Sequence, residues 1–245
     1  FYDKLNQRLA SGSVRRIHTV LHGILKAAQQ ARIIPKNPVD EVTPPKFSYK
    51  QKQVLTDEQL AIFMAAIRED AIWHDLFYTE LTTGLRRGEL CGLMWKDFDE
   101  EAGTLQVRRT VRREKGGILT TGDTKTYAGS RKIILPPSTA QLLRERKKTA
   151  LTEWIFPNPI KPELPTDPGT AYNRMKALLK QAGLPDIRFH DLRHTFATHA
   201  LTSGVDVKTL SGLLGHTRAA FTLDTYTHTT GDMQKRAAEI VGEFL

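Results

Sequence analysis

The 245-residue sequence contains a single cysteine, Cys91. It can therefore form no internal disulfide, and with no Cys-x-x-Cys pair it offers no thiolate site for zinc, so a reducing, cytoplasmic setting is the expectation. No apolar run approaches the roughly 18 residues a membrane-spanning helix needs; the segment from Ala61 to Ile67 is broken by charge within two turns. The opening residues, Phe1-Tyr2-Asp3-Lys4, have neither the basic nor the apolar region of a secretory signal and no initiator Met, which reads as a fragment of a longer chain. Acidic residues are short as well: 27 Asp+Glu against 36 Lys+Arg leave a net charge of +9. Such a surplus points to a polyanionic partner. The remaining composition, 40% apolar and 26% charged, is that of a globular protein and excludes a disordered tail, a collagen-like repeat or a mucin stalk.

Val14, Ile17, Leu21, Ile24, Leu25 and Ala28 recur at helical spacing and predict a helix over 14–31. Residues 43–52, with two prolines, three lysines and little periodicity, read as an interdomain linker. The expected division is thus 1–45, a helical domain; 46–54, the linker; and 55–245, a second domain. Thr56 and Gln59 form a capping-box pattern ahead of Leu60, Phe63, Met64 and Ile67, which opens the second domain with a helix. Further helices are expected over 73–82 and 86–93. Alternation then takes over: Leu105, Val107, Arg109 and Val111 predict one strand, 114–117 a turn, 118–126 the return, 127–130 a second turn and 133–135 another strand. Helices follow near 139–149, 170–181, 191–201, 207–214, 222–228 and 232–244. The fold class is mainly α with a small antiparallel β-meander.

Five of the eight histidines fall between His190 and His228, near Arg188, Arg193 and Arg218, a density of donors that suits a phosphate. His190 and Arg193 are three apart, so both reach one side of a helix whose first turn offers free N–H groups. Taken alone they equally fit a helix-start residue and a surface cation. A zinc pair of His190 and His194 is set aside, because the metalloprotease helix places Glu directly after its first His, whereas this chain has Asp191, and Arg193 would repel the ion. Arg86 and Glu89 are again three apart, so the carboxylate can orient the guanidinium, while Arg87 points about a hundred degrees away, toward DNA or solvent. Leu214-Gly215-His216 and Tyr226 follow; singly, that tyrosine reads as a core or rim residue.

In combination the pieces say more. Thr83-Gly84-Leu85-Arg86-x-x-Glu89-Leu90, the Thr124-Lys125-Thr126 hairpin ending in Ser130-Arg131-Lys132, His190-x-x-Arg193, Leu214-Gly215-His216 and Tyr226, in that order, resemble the tyrosine recombinase (phage integrase) family. The hairpin and the stretch over 222–228 look most like integrases of conjugative transposons and temperate phages. The resemblance implies a recombinase catalytic domain from about Leu55, preceded by part of a helical core-binding domain. It also implies site-specific cleavage and rejoining of DNA strands through a 3′-phosphotyrosyl intermediate.

The site it implies is Arg86, Lys125, His190, Arg193, His216 and Tyr226, supported by Glu89. Tyr226 would attack the phosphorus, His190 would take its proton, Arg86 and Arg193 would hold the non-bridging oxygens with help from His216, and Lys125 would protonate the departing 5′ oxygen. Lys115 and Lys132 flank Lys125 as less well matched candidates. No metal ion, nucleotide or other cofactor is implied. The expected partner is double-stranded DNA at specific sites, bound by a homotetramer that is monomeric in isolation, in a bacterial, nucleoid-associated setting. Arg15, Arg16, Lys26, Lys46, Lys50, Lys52, Arg87, Arg108 and Arg109, with Arg112 and Arg113, are the candidate DNA-facing cations of a clamp. The apolar stripe of the last helix, Met233, Ala237, Ile240, Val241, Phe244 and Leu245, is expected from the resemblance to dock on a neighbouring protomer, with packing on its own chain as the alternative. Two rival functions stay open, a DNA-binding regulator that does not cut and a type IB topoisomerase.

Overall fold

The computed structural model describes residues 1–44, 46, 53–123 and 130–215. The chain divides into two compact units, Phe1–Gln51 and Lys52–Leu245.

The first unit holds α1 (Tyr2–Asn6) and α2 (Ser11–Gln30). The exit of α2 is a Schellman turn: the Ile33 N–H reaches the Ala28 carbonyl at 2.9 Å and the Arg32 N–H that of Gln29 at 2.9 Å. Arg32 takes the left-handed conformation, φ +59°, that glycine usually supplies there. Asn37 ties the following loop back, donating to the His22 carbonyl (3.3 Å) and accepting from the Val39 N–H (3.0 Å). Of the predicted stripe, Val14 is fully buried and Ile24 stays exposed.

The second unit opens with α3 (Asp57–Arg68). The Thr56 hydroxyl accepts from the Gln59 N–H (3.3 Å) and the Gln59 side chain accepts from the Thr56 N–H (3.1 Å), the reciprocal cap its sequence predicts. After it come α4 (His74–Thr83) and α5 (Arg87–Cys91), then β1 (Phe98–Asp99), β2 (Thr104–Val107), β3 (Arg109–Arg113), β4 (Leu119–Asp123) and β5 (Arg131–Ile134). The chain continues through α6 (Pro137–Lys148), α7 (Pro168–Gln181), α8 (Phe189–Thr202) and α9 (Val207–Leu214). One core joins them, with Phe63 and Ile67 of α3, Leu76 and Phe77 of α4, Leu105, Ile133, Leu143, Met175 and Leu192 all buried. A smaller cluster of Ala197, Leu201, Leu210 and Leu214 fastens α9 to α8. Ahead of α3, the Leu55 N–H donates to the Thr195 hydroxyl (3.2 Å) and the Leu55 carbonyl meets His199 Nε2 (3.1 Å), which pins the start of this unit to α8.

The strands depart from the single meander that alternation predicts. β2 lies between β1 and β5 in one antiparallel sheet, and β3 pairs with β4 in another. The expected continuous strand breaks at Arg108, because Arg109 turns its guanidinium to the buried Asp97 carboxylate and to the Gly92 carbonyl (3.1 Å). α5 lies so close under β3 that a Cβ on Gly88 would come within 2.4 Å of Thr110 Oγ1 and 2.7 Å of the Val111 carbonyl. The helix expected over 86–93 is correspondingly short, ending at Cys91. The predicted helices over 222–228 and 232–244 lie outside the described residues. No helix among the described residues is long and apolar enough to cross a membrane.

Candidate active site

α4 ends at Gly84 in the left-handed conformation, φ +59°. Glycine is required there twice over, since an added Cβ would lie 2.3 Å from Phe196 Cδ1 and 3.0 Å from Leu214 Cδ2. Gly84→Ala should therefore destabilise the protein by about 2–4 kcal/mol, combining the strained φ with overpacking. Thermal unfolding checks this, and an unchanged melting temperature would contradict the role given to Gly84.

The turn delivers Arg86 to the start of α5. Glu89 accepts from the Arg86 backbone N–H (3.1 Å) and from Arg86 Nη1 (2.7 Å), and on its other side from Arg131 Nη2 (2.9 Å). Burial alone would raise the Glu89 carboxyl, but the hydrogen bonds and charges of Arg131 and Arg86 outweigh it and hold the pKa below the ordinary value, so the group is an anion. The spacing of Arg86 and Glu89 predicts this pairing. Arg131 as second partner is a residue sequence reasoning missed as part of the site.

α8 supplies the other half. The residue that caps its start, Arg188, is held by Asp191, which accepts from the Arg188 backbone N–H (2.8 Å), Nε (3.0 Å) and Nη2 (2.8 Å). Arg193 is 1% exposed and the bulkiest fully buried side chain among the described residues. Its Nη1 donates to the Gly84 carbonyl (2.8 Å) and its Nη2 to that of Leu214. At the end of α9 three guanidinium groups thus take three successive carbonyls: Arg131 Nε on Leu213 (2.7 Å), Arg193 on Leu214 and Arg86 Nη2 on Gly215 (3.1 Å). A helix C-terminus leaves its last carbonyls without partners and carries partial negative charge, which explains why cations collect there. The arrangement gathers Arg86, Glu89 and Arg193 of the predicted site. Lys125, His216 and Tyr226 lie outside the described residues.

His190 stands one turn before Arg193, its ring edge-on to His194 with centroids 4.7 Å apart. Desolvation by the surrounding protein, and then the charges of Arg193, Arg86 and Arg188, lower its pKa from 6.5 to about 4, with Asp191 opposing. It is therefore a neutral imidazole at neutral pH. Because its folded pKa lies below its unfolded value, it favours the folded state fully above about pH 6.5, and this contribution fades as pH falls toward 4. An NMR titration of its ring protons should give a midpoint near 4; a midpoint at 6.5 would contradict the electrostatics described.

Beside His190 a cleft of about 690 Å³ is lined by Arg87, Arg112, Arg113, Tyr172, Arg188 and His190. The Arg87 guanidinium sits 5.7 Å from the Tyr172 ring centre and 5.8 Å from that of Phe189. Among the other predicted cations Arg15, Arg16, Lys26 and Lys46 are exposed, and the Arg108 side chain is exposed 3.9 Å from Asp97. Arg109 is instead committed to Asp97 in the interior. Lys50 and Lys52 lie outside the described residues.

Residues 53–232 match the phage integrase family. The chain belongs to that family and is a tyrosine recombinase. It is 27% identical to a tyrosine recombinase XerC-like protein of Caldanaerobacter subterraneus subsp. tengcongensis, over 99% of this chain and 69% of that one. It is 28% identical to the ICEBs1 integrase of Bacillus subtilis, over 97% of this chain and 67% of that protein, so it spans about two thirds of the length of each. Among solved structures, the Tn1549 transposon integrase in complex with a circular intermediate DNA superposes with a TM-score of 0.81 at 26% identity, over 96% of this chain and 81% of that one.

Proposed function

We propose that this chain cuts and rejoins double-stranded DNA at specific sites, transferring each broken strand to Tyr226 as a 3′-phosphotyrosyl ester. The observation that carries the reading is the convergence of Arg86, Arg131 and Arg193 on the end of α9, immediately before His216 and eleven positions before Tyr226. Planar guanidinium groups match phosphate oxygens better than ammonium groups do, and negative charge grows on those oxygens as phosphorus becomes five-coordinate. Arg86, its side chain 41% exposed, is the fork that meets the phosphodiester first, held at the correct angle by Glu89. His190, neutral at working pH, accepts the tyrosine proton. Lys125 protonates the departing 5′ oxygen and His216 steadies a non-bridging oxygen. The covalent ester stores the bond, so resealing needs no outside energy source.

Exchange between two duplexes breaks four strands, so the working unit on DNA is a homotetramer. Relatives bound to DNA, such as the Tn1549 integrase, support the choice of partner. The exposed cations Arg15, Arg16, Lys26, Arg108 and Arg112 supply phosphate contacts whose number the salt dependence of binding will report. A nicked duplex bearing the element–chromosome junction, incubated with the protein and EDTA, tests the reading on a denaturing gel. A covalent protein–DNA band is expected; clear duplex binding with no band would overturn it.

A further inference from the structure

Glu80 sits on the core-facing side of α4, one turn before Gly84. It is 0% exposed, and neither carboxyl oxygen has a hydrogen-bond partner among the described residues. The charged groups that face it come from three other elements: Arg193 of α8, Glu89 of α5 and Arg131 of β5. The buried Cys91 of α5 also lies within electrostatic reach. A carboxylate in such a place has lost its hydration without receiving a single hydrogen bond in return, whereas the protonated acid escapes most of that penalty. Burial accordingly pushes the group well above the carboxylate range, with Arg193 and Arg131 opposing and Glu89 reinforcing. The candidate mechanism makes no use of this residue.

We propose that Glu80 is a positioning residue that sets the charge of the phosphate site: carried as the neutral acid, it leaves Arg86, Arg131 and Arg193 facing one carboxylate among the described residues, Glu89, instead of two. Ionised, it would cut the positive surplus of these five groups from two charges to one. Neutral, it preserves that surplus for a phosphodiester whose negative charge increases during attack. The idea rests on the recombinase reading of the site.

Two measurements decide it. The infrared difference spectrum of wild type minus Glu80→Gln at pH 7, recorded without DNA, should show the carbonyl stretch of one protonated carboxyl. Absence of that band overturns the proposal. In a Tyr226→Phe background, affinity for the nicked duplex is then compared with and without Glu80→Gln from pH 6 up to the pH at which that band has disappeared. The affinity of the protein retaining Glu80 should fall by at least about threefold relative to the Gln variant as the acid ionises. Parallel profiles would remove the charge-setting role even if the band is present. Should Glu80→Gln not fold, Glu80→Met, neutral and close in shape, takes its place in both measurements. The infrared band is independent of cleavage, so absence of a covalent adduct would sink the recombinase reading alone, and absence of the band with an adduct present would sink only this one.

Discussion

Replacing Tyr226 by Phe should lower formation of the covalent protein–DNA adduct by at least about 10⁴-fold, below detection on a gel. The change deletes one oxygen and nothing else. In-line attack requires the nucleophile opposite the departing 5′ oxygen and within about 3–3.5 Å of phosphorus, so an oxygen held elsewhere does not substitute for it. Duplex affinity, set by many phosphate contacts, should stay within about threefold of wild type, since one hydroxyl contributes on the order of 1 kcal/mol at most. Fluorescence anisotropy for binding, beside adduct yield for chemistry, separates the two. Adduct formation by the variant at more than a few per cent of wild type would mean that another residue is the nucleophile. Equal loss of binding and adduct would mean that the substitution damaged the fold or the interface.

Arg193→Lys should lose both cleavage and stability. The guanidinium spans the Gly84 and Leu214 carbonyls, which stand 130 positions apart in sequence and on either side of the site. A lysine has one compact donor head and reaches one of them, leaving a buried carbonyl unsatisfied at about 1–3 kcal/mol. Burial would also drive the ammonium toward its neutral form and remove the charge that a phosphate needs. Cleavage should fall by about 10²–10³-fold, and the melting temperature by several degrees. Arg86→Lys provides the contrast. That side chain is substantially exposed and its carbonyl partner, Gly215, lies at the end of α9. The expected outcome is a similar loss of cleavage with a smaller thermal shift. If Arg193→Lys unfolds no more easily than wild type, the buried bridge between α4 and α9 is not as described.

Much of this was legible before any coordinates. The Thr56–Gln59 cap predicts the start of α3, and the apolar spacing over 207–214 matches α9 residue for residue. The pairing of Arg86 with Glu89 follows from a three-residue separation on one helix face. What stayed hidden depends on partners far away in sequence. The break at Arg108 is set by Asp97 and by Gly88 and Gly92 beneath β3, none of which alternation can register. Arg131 reads as one more cation of a basic hairpin until it is seen inside, between Glu89 and α9. A signal for it did exist: along β5, Arg131 shares the buried phase with Ile133, and a charge on that phase implies a fixed partner. Glu80 follows the same logic on a helix, where Leu76, Phe77, Glu80 and Thr83 mark one buried face.

The central claim is that the DNA strand becomes joined to the oxygen of Tyr226, and mass spectrometry of the nuclease-trimmed adduct tests it most directly. The account predicts a single peptide spanning residue 226 that carries a 3′-linked nucleotide, with fragment ions placing the added mass on the tyrosine. A nucleotide on any other residue, or a trimmed protein with no added mass despite a band on the gel, would contradict it.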